Sequence, residues 1–294
     1  MRDPQAKRKG QPLGLQRARF YAAEIIAALA HVHELKIIHR DLKVSAALLF
    51  AFEVSSQQLS HILCSPCRSQ PGNVMLSTTG HVKLLDFGLG RRDADDAVTS
   101  LVGTPKYVAP EILRIAKGEQ SSGYGKAIDY WSLGVMLYEM LVGNTPFEVG
   151  VRSRQELYKK ILGTGRSGLD LRALLSQYRT LHIDKHAASV IQGLLDRDPT
   201  KRFGGSEEPA GMPRSLLEHP FFSEIDWLQL LHQKAPAPWV PTESEVERQL
   251  EIRPEEVDLG SVTSASGSSG AGFGRVDGFT FDRRTAKSML GKYK

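Results

Sequence analysis

A chain of 294 residues with a formal charge of +5 has room for one large domain or two small ones, and enough Leu, Ile and Val for a sizeable core. No apolar run reaches membrane-spanning length (residues 46–52 fall far short), and the polar, basic first residues lack the apolar region of a signal peptide, so the expectation is a soluble, cytoplasmic protein. The basic residues are scattered apart from Lys7-Arg8-Lys9, a solvated terminus rather than a nucleic-acid patch.

After a basic N-terminal segment, 1–15, residues 16–35 carry helical periodicity. Phe20, Ala23, Ile26, Ala27, Leu29 and Ala30 form a wide apolar stripe, with Arg17, Arg19 and Glu24 off it. The predicted helix runs into Ile38-His39-Arg40-Asp41-Leu42-Lys43. Residues 44–70 follow, and then Pro71-Gly72-Asn73. The two cysteines, Cys64 and Cys67, both fall in 44–70. Their C-x-x-C spacing has no second Cys or His pair nearby and no βαβ context, so it is read as neither a zinc site nor a redox pair. Residues 73–76 and 81–85 are strand-like, with a turn at 77–80, and the second run ends in Asp86-Phe87-Gly88.

These motifs carry a resemblance. His39-Arg40-Asp41-Leu42-Lys43 resembles the catalytic loop of a protein kinase, and a hairpin leading to Asp86-Phe87-Gly88 makes the match specific. The resemblance continues through Gly103-Thr104-Pro105-Lys106-Tyr107-Val108-Ala109-Pro110-Glu111, similar to the end of an activation segment. Ile128-Asp129-Tyr130-Trp131-Ser132-Leu133-Gly134-Val135 resembles the central buried helix of the large kinase lobe, and Asp198-Pro199-Thr200-Lys201-Arg202 a segment whose Arg pairs with the Glu of the activation segment. His219-Pro220-Phe221-Phe222 and residues 236–241 resemble the tail of the AGC group of serine/threonine kinases. Beyond a Ser/Gly-rich linker at 261–274, Val276-Asp277-Gly278-Phe279-Thr280-Phe281 is similar to the AGC hydrophobic motif, with Val276 where Phe is usual. The match covers residues 16–43 and 71–242.

The resemblance implies an α+β fold: a protein-kinase-like C-lobe over 16–222, mainly α-helical with short β-hairpins, followed by a partly disordered tail, 223–294. No glycine-rich phosphate loop or strand lysine precedes the first helix, so the N-lobe is expected to be missing. The G-x-G-x-x-G at 163–168 follows a helical stretch and is read as a loop.

By the same resemblance, Asp41 orients a substrate hydroxyl and takes its proton, and Lys43 neutralises the transferring phosphoryl group. Asn73 and Asp86 hold Mg²⁺, and Met75 and Leu85 lie below the adenine of ATP, where plain core packing is the competing reading. Ser100, with Thr99 as fallback, takes the activation phosphate, clamped by Arg40 and Arg91; Thr280 is a second phosphosite. Asp129, Glu111 and Arg202 are structural, the first holding the catalytic-loop backbone and the other two forming a buried pair. The implied partners are an upstream activating kinase and protein substrates with basic residues near the target, met by Glu139; Gly72 stands where a further acidic residue is often found. A monomer without nucleic-acid partners is expected.

The 27 residues at 44–70 break this pattern, because Asp41 and Asn73 lie 32 positions apart where the family has five. A loop insertion, a regulatory element and translated intron all compete. Val44 can begin on GT and Gln70 end on AG, as introns do, and removal leaves a seamless catalytic loop, which favours the intron. Closing the longer loop costs only about 1–2 kcal/mol, so the fold tolerates it. Catalysis tolerates less, since a shift of about 1 Å can cost roughly 10²-fold in rate, and the stretch is expected to pull Asp41 and Lys43 away from Asn73. Two functions therefore stand: a serine/threonine kinase transferring the γ-phosphate of ATP, or an inactive C-lobe acting as an interaction module. The chain as written is expected to bind no Mg·ATP measurably.

Overall fold

A computed structural model of the chain describes residues 13–44, 72–92, 103–120, 123–164, 183–205 and 211–242. Helix α1, Leu15–Glu34, buries Tyr21, Ile25, Ile26 and Leu29, and its alanines let neighbours approach closely. Arg19 and Glu24, placed off the apolar stripe by the sequence pattern, are buried instead, 7% and 9% exposed. Each is compensated, as a buried charge must be. The Arg19 guanidinium lies 5.4 Å over the Phe221 ring and pairs with Glu224. Glu24 accepts from His81 Nδ1 at 2.6 Å and from the Val82 amide at 2.8 Å.

Strand β1, Ile37–Ile38, follows α1 directly; β2, Val74–Leu76, and β3, Val82–Leu84, form a hairpin; β4 is Arg91–Arg92. The β2–β3 pair is antiparallel with Val74 opposite Leu84 and Leu76 opposite Val82, and β1 pairs antiparallel with β4. The hairpin turns through Gly80 at φ 80°, a left-handed conformation that glycine adopts without strain. The C-terminal segment crosses this turn so closely that a Cβ on Gly80 would stand 2.2 Å from the Trp239 carbonyl oxygen.

Helix α2, Pro110–Ala116, opens on proline, whose missing amide costs nothing in a first turn. Helix α3, Ala127–Val142, is buried at every position except the half-buried Glu139, as expected of a helix apolar on all sides, and it stops at left-handed Gly143. Helices α4, Arg154–Leu162, and α5, Lys185–Leu194, start on Ser153 and Asp184, whose side chains accept the amides of Glu156 and Ala187. Short helix α6, Arg214–Leu217, a 3₁₀ turn, Pro220–Phe222, and α7, Trp227–Leu231, complete the described chain. The core forms where α3 packs against α1 on one side and α5 on the other. No helix among the described residues is long and apolar enough to cross a membrane. Cys64, Cys67, Thr99, Ser100, Thr280 and all of 44–70 beyond Val44 lie outside the described residues.

Candidate active site

The site is built on α3. Asp129, in its first turn and fully buried, accepts the backbone amides of His39 and Arg40, each at 2.9 Å, and the His33 ring at 2.8 Å. Burial pushes the Asp129 carboxyl up, but the His33 hydrogen bond, the nearby His33 and His39 rings and the Arg40 amide outweigh it and hold it below the usual range. This grip stabilises Arg40 at φ 72°, an uncommon backbone for a non-glycine residue, and turns the chain so that Asp41 faces the β2–β3 hairpin.

Both Asp41 carboxylate oxygens are engaged. Oδ1 accepts from the Thr104 amide at 2.9 Å and the Thr104 hydroxyl at 2.8 Å. Oδ2 accepts from Lys43 Nζ at 3.0 Å and Asn73 Nδ2 at 3.1 Å, and Asn73 Nδ2 also reaches the Asp41 carbonyl at 2.7 Å. The sequence expectation that 44–70 separates these groups is therefore corrected. The reason lies in the backbone. The amides of Asn73 and Val74 both donate to the Lys43 carbonyl, at 3.1 and 3.2 Å, and Val44 bridges Val74 in parallel. The chain leaves and returns at one stitched point, so the extra length is not transmitted to Asp41, Lys43 or Asn73.

The hairpin ladder brings the last member in. Leu85 donates its amide to the Asn73 carbonyl at 2.8 Å, placing Asp86 next along the chain at φ 60°, with its Oδ1 accepting the Gly88 amide at 3.1 Å. The Phe87 ring lies 4.8 Å from the His39 ring, and His39 Nε2 donates to the Leu85 carbonyl at 3.1 Å. Met75 is half-buried and Leu85 is 42% exposed on the same hairpin. Arg40 donates to the Leu89 carbonyl and the Tyr124 hydroxyl, while Arg91 pairs across β1–β4 with Ile38.

Farther out, Arg202 makes a bidentate pair with Glu111 at 2.6 and 2.9 Å, both side chains buried, and its guanidinium also binds the Ala127 and Asp196 carbonyls and lies 5.2 Å over Trp131. The Tyr107 hydroxyl donates to Glu139, and Lys106 pairs with Glu148 at 2.5 Å. Burial pushes the Glu139 carboxyl up to about 7, against the opposing pull of the Tyr107 hydrogen bond and Lys106.

Thr104 and His33 join the site without a signal of their own in the sequence. Thr104 was readable only as part of the Gly103-Thr104-Pro105 run, and His33 only as a residue six before His39; neither carries a partner in its own neighbourhood. For a hard cation, the chemistry of the donors fits. With Nδ2 committed to Asp41, Asn73 offers its amide oxygen, and Asp86 its second carboxylate oxygen, both suited to Mg²⁺. Among the described residues there is no cluster of three or more His, Cys, Asp or Glu to form a closed metal cage. An ion here would complete its shell with water or ligand oxygens.

Residues 70–222 match the protein kinase domain family. The chain is 38% identical over 228 residues to protein kinase C eta type of Rattus norvegicus, covering 76% of this chain and 26% of that protein. It is 35% identical over 234 residues to the cAMP-dependent protein kinase catalytic subunit of Arthrobotrys oligospora, covering 80% and 36%. To the RAC family serine/threonine-protein kinase homolog of Dictyostelium discoideum it is 35% identical over 229 residues, covering 76% and 39%. Helices around a small-sheet scaffold, with this site at their junction, thus define a protein kinase domain, and the chain belongs to the protein kinase family, in its AGC group of serine/threonine kinases. It spans about a quarter to two fifths of the length of these relatives.

Proposed function

We propose that the chain carries the hydroxyl-accepting and metal-binding side of a serine/threonine phosphoryl-transfer site. The observation that supports this most is the convergence of Asp41, Lys43 and Asn73 despite the stretch between them. When bound, Mg·ATP supplies the phosphoryl group and the metal charge that balances its oxygens. Asp41 orients the substrate hydroxyl and takes its proton. Of its two oxygens, Oδ2 is the one to receive it, because the Lys43 partner there sits on a long stem that can move aside. Lys43 then carries its positive charge toward the reacting group. Asn73 and Asp86 hold the cations through the oxygens left free of protein contacts named above. Met75 and Leu85 offer an apolar floor to a base. Ser100 and Thr280 are regulatory phosphosites, with Arg40 and Arg91 as the charge-assisted partners of a phosphate on Ser100.

Titration of the full chain with Mn²⁺, read by water-proton relaxation, tests this reading. Saturable binding is expected, weakened tenfold or more by Asp86→Ala and by Asn73→Ala. Absence of binding, or binding indifferent to both substitutions, would overturn it and leave the C-lobe as an interaction module.

A further inference from the structure

Two residues beyond the Thr104 that binds Asp41 stands a cation, Lys106, that phosphoryl transfer does not use. Residues 104–107 form a tight turn, closed by the Tyr107 amide donating to the Thr104 carbonyl at 2.9 Å. One end is fixed to Asp41 through Thr104. The other end meets two carboxylates: the Tyr107 hydroxyl donates to Glu139, and Lys106 Nζ lies 2.5 Å from Glu148 Oε1. Asp41, Thr104 and Tyr107 line one small cavity, so the turn joins the place where a target hydroxyl would be received to the two side chains that hold these carboxylates. Glu148 is itself steadied by the Thr145 hydroxyl at 3.2 Å.

The Lys106–Glu148 pair is open to exchange. The two side chains are 47% and 44% exposed, and exposed ammonium–carboxylate pairs are weak. A guanidinium presents a planar fork that engages a carboxylate through two bonds, which an ammonium cannot match. Lys106 also acts on Glu139, drawing its carboxyl back toward ionisation while burial and Glu148 push the other way.

We propose that Lys106 is a specificity-determining residue, an internal cation that occupies Glu148 in place of a basic side chain of the substrate and so mutes selection for arginine beside the target serine. The inference rests on the phosphoryl-transfer reading of Asp41 and deepens it. It implies a substrate class in which basic flanking residues help only when they displace Lys106.

The test is binding, by fluorescence anisotropy, of two labelled peptides to the full chain: an alanine-rich peptide with a central serine flanked by arginines, and the same peptide with alanines for the arginines. Lys106→Met is expected to raise the arginine-over-alanine affinity ratio about three- to fivefold, the scale of one exposed ion pair. Lys106→Arg, which keeps the cation and holds Glu148 at least as firmly, should not raise the ratio. Adding Glu148→Gln to Lys106→Met should cancel the gain. A loss of folding would weaken both peptides alike and leave the ratio unmoved. If both peptides bind and the ratio does not respond to Lys106→Met, the assignment of Lys106 fails while the substrate site stands. If neither peptide binds any variant, the substrate reading and this inference fail together.

Discussion

The Asp41 carboxylate accepts four hydrogen bonds from three residues that arrive along separate stretches of chain, and that saturation fixes its direction. Single residues elsewhere carry comparable weight. Arg202 and Glu111 are buried partners, so removing one strands the other in a low-dielectric setting. Glu111→Gln is therefore expected to cost about 3–5 kcal/mol in denaturant unfolding, and Arg202→Lys to lose most of the bidentate geometry as well. Glu139 gives a signed pH dependence. Its carboxyl is raised to about 7 in the folded state, chiefly by burial, so between about pH 4.5 and 7 the folded protein binds a proton that the unfolded chain has lost. Stability then falls as pH rises through this window, and the full cost stands above pH 7. Glu139→Gln should flatten that slope and raise stability at pH 8 by about 1–3 kcal/mol, read from denaturation midpoints.

The β2–β3 hairpin is the element that ties distant parts of the site together. One end holds Asn73 and Leu85, and the turn at the other end is gripped by Glu24 from α1 and crossed by the segment at Trp239. The Glu24 hydrogen bond outweighs burial and raises the His81 pKa. A raised histidine contributes stability that is complete below the unfolded value of about 6.5 and is lost as pH climbs through the folded value. Glu24→Gln should remove this part of the pH dependence in a comparison at pH 6 and pH 8. Gly80→Ala meets both a strained φ and the Trp239 carbonyl, and is expected to destabilise by about 1–3 kcal/mol in thermal or denaturant unfolding. The hairpin itself was legible in the sequence, because two short apolar runs around Ser77-Thr78-Thr79-Gly80 leave few other options. So was α3, through the resemblance of residues 128–135 to the central buried helix of the large kinase lobe. The burial of Arg19 and Glu24 was not legible, since their partners Phe221, Glu224 and His81 lie far along the chain and no local pattern points to them.

At the scale of the whole molecule the question is what 44–70 does to the site. Counting residues says that 32 positions separate Asp41 from Asn73, and counting alone predicts a broken loop. Distance along the chain is a poor guide here because closing even a long loop is entropically cheap, while three backbone contacts at Lys43, Val44 and Val74 fix both ends. That closure is a property of the assembled lobe and leaves no mark in the sequence. The most direct measurement compares the Mn²⁺ affinity of the full chain with that of a variant lacking residues 44–70. A site already closed across the stretch predicts affinities within about threefold of each other. Tenfold or tighter binding on deletion would show that the stretch holds Asn73 and Asp86 apart from Asp41, and would contradict the account.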